Sequence, residues 1–209
     1  MDKSNQNVTA SELLRNLVSV ITYMVDLHDP TASSHQEEVA LLAGGIAEAM
    51  GYDEKLVDRV FLAGQIHDVG KIAVPAEVLG YPGKLNHEQQ MLVVRHPQVG
   101  YEILKPIRFP FNLAEIVYQH HERLDGSGYP MGLSGSQILP ESRILAVADV
   151  VQAMLTNRSY HEPCSVESVL EELEAHKGSL YDTDVVNAYK KLVAERGPAI
   201  GRGNGRQNN

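Results

Sequence analysis

The 209 residues suffice for one fair-sized domain, and 43% hydrophobic with 22% charged residues is ordinary for a globular chain. A formal net charge of −9 argues against a broad nucleic-acid footprint, so DNA is not an expected partner, although an anion can still bind where metal ions supply local positive charge. A single cysteine, Cys164, excludes an intramolecular disulfide and points to reducing, cytoplasmic surroundings, and neither a secretory signal nor an apolar run near the ~18 residues of a membrane span is found.

Apolar residues recur at helical spacing from the start. Leu13, Leu14, Leu17, Val18, Ile21, Met24 and Val25 form one stripe, which predicts a first helix. Val39, Ala40, Leu42, Ile46 and Met50 predict a second helix beginning after Thr31, with Gly51 as its stop. Asp53 is placed to cap a third, running to about Asp68. Asn86 with Gln89 reads as a capping box for a helix reaching His96. Shorter helices are predicted over 98–104 and 113–122. The stretch 123–140 is rich in glycine and proline and is expected to be loop. Helices over 141–155, 165–176 and 182–195 follow. Few segments alternate at period two, so the expected fold is an all-α bundle whose functional side chains project inward from facing helices. Residues 1–15 are expected to be a flexible segment leading into the first helix, 16–196 the folded domain, and 197–209 a disordered tail.

The chain carries nine histidines, and five of them, His35, His67, His96, His120 and His121, fall near predicted helix ends. Two aspartates join the series. Asp68 follows His67 directly, and Asp149 lies inside the apolar run Ile144 to Val151, where a carboxylate is costly to bury unless paired or metal-bound. Imidazole and carboxylate without thiolate suit first-row divalent metals such as iron, manganese, zinc, cobalt or nickel. Asp68 has two oxygens and can bridge two ions, and two ions ~3.5–4 Å apart can share a hydroxide and stabilise both the attacking and the leaving oxygen of a displacement. Two divalent ions, two aspartates and one hydroxide leave a single net positive charge, matched to a phosphodiester. Metal-assisted hydrolysis of a phosphate ester is therefore the expected chemistry. Glu122 offers a further ligand but is read in preference as a solvated charge at a helix end, and His28, His87, His161 and His176 are read as surface or packing residues.

Two longer strings specify more. His67-Asp68-Val69-Gly70-Lys71 with Ile72, Pro75 and Val78-Leu79, and His120-His121-Glu122-Arg123-Leu124-Asp125-Gly126-Ser127-Gly128-Tyr129-Pro130, resemble the signatures of the HD-GYP family. The similarity continues through Gly132-Leu133, Gly135, Ile138, Arg143-Ile144, Val147-Ala148-Asp149 and Asn157-Arg158-Ser159-Tyr160, over roughly residues 20–195. The resemblance implies an HD-superfamily helical core, a binuclear or trinuclear centre of iron or alternatively manganese, and phosphodiesterase activity on cyclic di-GMP, or in some relatives on cyclic GMP-AMP. It implies one metal on His35, His67, Asp68 and Asp149 and another on Asp68, His96, His120 and His121. It places Lys71 near the scissile phosphate and Arg158 on the substrate. The glycines and proline around Tyr129 make that loop first a turn, in which Tyr129 is read as stacking on a substrate base or packing on the fold; the resemblance adds a third role, docking of partner domains such as GGDEF-type cyclases.

Two positions depart from the pattern. Some relatives carry a glutamate where this chain has Thr31, and a hydroxyl is a poor ligand for a third metal, so two metals and a product stopping mainly at linear pGpG are expected. His161 stands where a second cation is usual and is largely neutral at pH 7. These departures motivate an alternative, a catalytically weak or inactive module that binds metal and cyclic dinucleotide and signals through a partner. A di-iron oxygenase on the same core is a third reading, opposed by Lys71 and Arg158.

Overall fold

The computed structural model of the chain describes residues 9–29, 34–156 and 163–197. Thr31, Arg158 and His161, and the segments 1–8 and 198–209, lie outside them. Among the described residues there are ten α-helices and no strand: the nine helices that the sequence predicts and a short one, Ala76–Leu79, that it does not. They are α1 (Ala10–His28), α2 (His35–Ala49), α3 (Glu54–Ile66), α4 (Ala76–Leu79), α5 (His87–Val94), α6 (His96–Leu104), α7 (Leu113–Tyr118), α8 (Pro140–Leu155), α9 (Val166–Ala175) and α10 (Thr183–Arg196).

The helix starts follow local chemistry. Thr9 and Glu12 close a capping box on α1, and Asn86 and Gln89 close the anticipated one on α5. Asp53, Ser165 and Asp182 accept first-turn amides of α3, α9 and α10, each satisfying donors that lack an intrahelical partner. Boundaries moved where the chain turns. The predicted 113–122 helix ends at Tyr118, and His96 opens α6 instead of closing α5, because Arg95 already caps α5 and Pro97 favours a helix start. A 3-10 turn, Val69–Ala73, follows α3 and has no periodic signature in the sequence.

α2 lies at the centre, packed against α3, α8 and α10, while α6 packs on the 3-10 turn and α7. Val39, Leu42, Ala43 and Ile46 of α2 meet Val60, Ala63 and Ile66 of α3 and Ile144, Leu145, Val147, Ala148 and Val151 of α8, all almost fully buried. Each large side chain in this set contributes about 1.5–3 kcal/mol of apolar burial. α8 is apolar on nearly every face because neighbours cover it on several sides. α1 lies across α3 and the 3-10 turn, and the stripe read as one face divides. Val18 and Val25 are buried and Leu14 and Ile21 half-buried, whereas Leu13, Leu17 and Met24 face outward.

The loop over 123–139 is held rather than loose. Arg143 donates to the carbonyls of Ile138 and Gly135 and pairs with Asp182 at 2.9 Å. Gln119 accepts from the Leu139 amide and Ser142 donates to the Ile116 carbonyl.

Backbone contact also sets the position of the turn after α3. A Cβ added at Gly70 would sit 1.9 Å from the His96 carbonyl oxygen and 2.6 Å from the Gly100 nitrogen. Only a glycine lets the 3-10 turn lie against the start of α6. Gly70→Ala should therefore force two backbones apart and cost roughly 3 kcal/mol or more, as overpacking a rigid contact does. Urea unfolding checks this, and a loss below about 0.5 kcal/mol, the usual effect of an innocuous surface change, would contradict it.

Candidate metal centre

Three of the histidines sit just past helix C-termini, where the last carbonyls lack partners. His67 follows α3, His96 follows α5 and His120 follows α7. Each ring turns back so that its Nδ1–H donates to the carbonyl three residues earlier: His67 to Gly64 at 2.7 Å, His96 to Val93 at 2.7 Å and His120 to Val117 at 2.5 Å. One bond thereby caps the helix and fixes the tautomer, leaving Nε2 as the inward-facing nitrogen.

The structure brings together all seven residues that the sequence singled out as metal ligands. His35, the first residue of α2, lies with Nε2 3.2 Å from Asp149 Oδ1, which comes from α8. His67 Nε2 lies 3.4 Å from Asp68 Oδ2 and 3.9 Å from Asp149 Oδ1. On the other side, His96 Nε2 is 3.2 Å from Asp68 Oδ1 and 3.2 Å from His120 Nε2. His121 presents Nδ1 3.9 Å from Asp149 Oδ2. Asp68 thus turns one oxygen toward His67 and the other toward His96. Donor atoms of His35, His67 and Asp149 lie within 4.8 Å of one another, as do those of His96, His120 and His121, and those of His67, Asp68 and His120.

This donor set fits cations. His96 and His120 each commit Nδ1–H to a backbone carbonyl, so two lone pairs oppose each other at 3.2 Å. Burial holds both imidazoles below the usual histidine range, with His121 adding to the effect at His120. Burial also pushes His121 down to about 3. Neutral imidazoles are the form that ligates metal. His67 Nε2 is buried without an aligned hydrogen-bond partner. Burial would depress the His67 ring, but Asp68 and Asp149 outweigh it and favour a proton where a cation would serve the same charge. Burial would likewise raise Asp68 and Asp149. Lys71, His67 and His96 overcome it at Asp68, and His35, His67 and His121 at Asp149, so both stay well below the ordinary carboxylate range.

Lys71 stands on the rim, with Nζ 2.7 Å from Asp68 Oδ2 and 3.9 Å from Asp29 Oδ2. Burial opposes its charge but Asp68 prevails, so the ammonium is retained. It opens onto a cavity of about 610 Å³ lined also by Leu79, Tyr81, Lys84 and Gln90. Tyr129 stacks on the His121 ring at 4.7 Å between centroids, and its amide donates to the His121 carbonyl.

Glu122 corrects an expectation. It is buried, not solvated, and its two oxygens accept the amides of Met131 at 2.7 Å and Leu133 at 2.9 Å. It anchors the 123–139 loop directly behind the histidine pair. The adjacent Gly128 lies against the backbone of residues 121–123, where a Cβ would come within 2.4 Å of the Arg123 nitrogen. Asp29 is also buried beside Lys71 and was not anticipated. A carboxylate followed by a glycine-rich loop was the available signal for Glu122; Asp29 carried none.

The HD-domain family profile matches residues 19–185. The cyclic di-GMP phosphodiesterase response regulator RpfG of Xanthomonas campestris pv. campestris is 41% identical over 176 residues, covering 83% of this chain and 47% of RpfG. A cyclic di-GMP phosphodiesterase of Thermotoga maritima is 37% identical over 186 residues, covering 88% of this chain and 50% of that protein. This chain therefore spans about half the length of these relatives. The crystal structure of a cyclic GMP-AMP specific phosphodiesterase of Vibrio cholerae superposes with a TM-score of 0.66 at 18% identity, covering 88% of this chain and 49% of that one, which supports the fold.

Two outcomes follow. Saturating Mn²⁺ at a hundredfold excess over Kd should add about 2.7 kcal/mol, raising the melting temperature by roughly 5–10 °C for a chain of this size. Asp68→Asn should abolish most of that rise, and an unchanged wild-type melting curve would contradict the fit. Glu122→Gln should keep one acceptor and lose a charged one, costing about 1–3 kcal/mol in urea unfolding; a change within experimental error would show that the carboxylate does not anchor the loop.

Proposed function

This chain belongs to the HD-domain family, and from that premise we propose that it is a metal-dependent phosphodiesterase that cleaves cyclic di-GMP, mainly to linear pGpG. The observation that carries the reading is the paired donor set divided by Asp68. His35, His67 and Asp149 would hold one ion, His96, His120 and His121 another, and Asp68 would serve both. Iron is the proposed metal and manganese the alternative, since imidazole and carboxylate donors without thiolate suit either. Divalent ions held there supply Lewis acidity toward a phosphate and activation of water at neutral pH.

The chain's own residues do the rest. Lys71 keeps its ammonium at the rim, where it neutralises a phosphate oxygen and stabilises charge on the departing 3′ oxygen. The cavity beyond Lys71 falls in the size range of small-ligand sites and presents Tyr81 and apolar side chains to a base, with Lys84 and Gln90 as polar contacts. Tyr129 acts as a positioning residue, its ring holding that of His121. Arg158, proposed as a substrate contact, lies outside the described residues. The pGpG product rests on Thr31, also outside them, which supplies no third carboxylate.

Anaerobic loading with Fe²⁺ or Mn²⁺, followed by chromatography of products from cyclic di-GMP and cyclic GMP-AMP, tests the proposal. Turnover of cyclic di-GMP to pGpG is expected. Asp68→Ala should lower it by at least about a hundredfold with helical content preserved, and Lys71→Ala by ~10–1000-fold, the range for a single electrostatic contact. Normal turnover by Asp68→Ala would sink the assignment. Undetectable hydrolysis with retained cyclic di-GMP binding would favour a signalling module instead.

A further inference from the structure

α1 carries a second apolar face that the domain does not use. Leu13, Leu17, Val20, Met24 and Leu27 are each 53–69% exposed, and Tyr23 beside them is 64% exposed. Their spacing alternates four and three residues throughout, the a/d rhythm that keeps one seam facing a partner helix. The buried residues Val18 and Val25, with half-buried Leu14 and Ile21, follow the same rhythm shifted by one position and face the core. One helix thus presents two parallel seams, one spent on the domain and one on the surface.

We propose that the outer seam of α1 pairs with the same seam of a second copy of this chain, making a homodimer. Three observations select this occupant. First, a continuous a/d row of Leu, Leu, Val, Met and Leu is self-complementary, because a second identical helix supplies the matching knobs and holes. Second, no Asp, Glu, Lys or Arg occupies an a, d, e or g position between Leu13 and Leu27. The charges of that stretch stand elsewhere, with Arg15 paired to Asp58 of α3 at 2.8 Å and Asp26 off the seam. Two copies can therefore meet without like-charge repulsion. Third, the six side chains expose on the order of 600 Å² per copy, so pairing buries at most ~1,200 Å² in all, at the lower bound of stable interfaces. Two heptads of seam imply a modest affinity, with a concentration-dependent equilibrium rather than an obligate dimer. Val20 lies at the midpoint, so it meets its own counterpart whether the helices run parallel or antiparallel.

The test uses the whole 209-residue chain in analytical ultracentrifugation over about 1–200 µM, a range bracketing interfaces of this size. A monomer–dimer equilibrium is expected. Leu17→Glu with Met24→Glu should move it at least tenfold toward monomer, with circular dichroism and melting temperature unchanged, since neither side chain reaches the core. Val20→Cys should form an intermolecular disulfide under mild oxidation, whereas Ser19→Cys, one position off the seam, should not. A chain that stays monomeric at every concentration overturns the proposal, whether or not it sediments with phosphatidylglycerol vesicles, which would instead make the seam a lipid-facing surface. A dimer unaffected by the double substitution overturns it too, by placing the interface elsewhere. Neither outcome bears on hydrolysis, since α1's outer seam contributes no residue to the metal centre.

Discussion

The structure turns on a hydrogen bond repeated three times. At the ends of α3, α5 and α7 a histidine returns its Nδ1–H to the carbonyl three residues back. Helix C-termini leave such carbonyls without partners, so the bond is favourable on purely local grounds. Its second consequence is functional. With Nδ1 committed, Nε2 points into the interior, and three helices that end near one another deliver three ring nitrogens to one volume. The bundle supplies the convergence, and the caps supply the aim.

That arrangement is uncomfortable without a cation. Two nitrogen lone pairs oppose each other at 3.2 Å, and the buried Asp68 and half-buried Asp149 sit among imidazoles of which burial keeps His96, His120 and His121 neutral. Replacing water around such groups costs several kcal/mol unless charge is matched. Lys71 matches part of it from the rim. Divalent ions would match the rest and would turn a strained cluster into an electrophilic one. The same feature that makes the interior costly thus makes it suited to holding cations.

Much of this was legible in the sequence because it is local. The helices over 54–66, 87–94, 166–175 and 183–196 follow capping residues, and that over 35–49 follows apolar spacing, and neither signal needs tertiary information. The seven candidate ligands were legible because they recur in order within and around the two family-like strings, and because a carboxylate inside an apolar run, as at Asp149, is costly to bury without a partner; a single helix-end histidine would not have marked the site. What escaped depends on contacts between distant segments. Gly70 is a glycine because α6 lies against it, a fact absent from residues 67–71 alone. Glu122 looks like a surface charge until the loop that it anchors folds back over it. The apolar stripe of α1 reads as a single face at helical resolution, and only the packing against α3 divides it into an inner and an outer row.

On this reading two cations would share Asp68 inside the cage. Crystals of Mn²⁺-loaded protein, with data collected at the manganese absorption edge, test it most directly. Two anomalous peaks are expected ~3.5–4 Å apart, the spacing of two-metal sites, one beside His35, His67 and Asp149 and the other beside His96, His120 and His121. A single peak, or peaks at surface carboxylates with the interior empty, would contradict it.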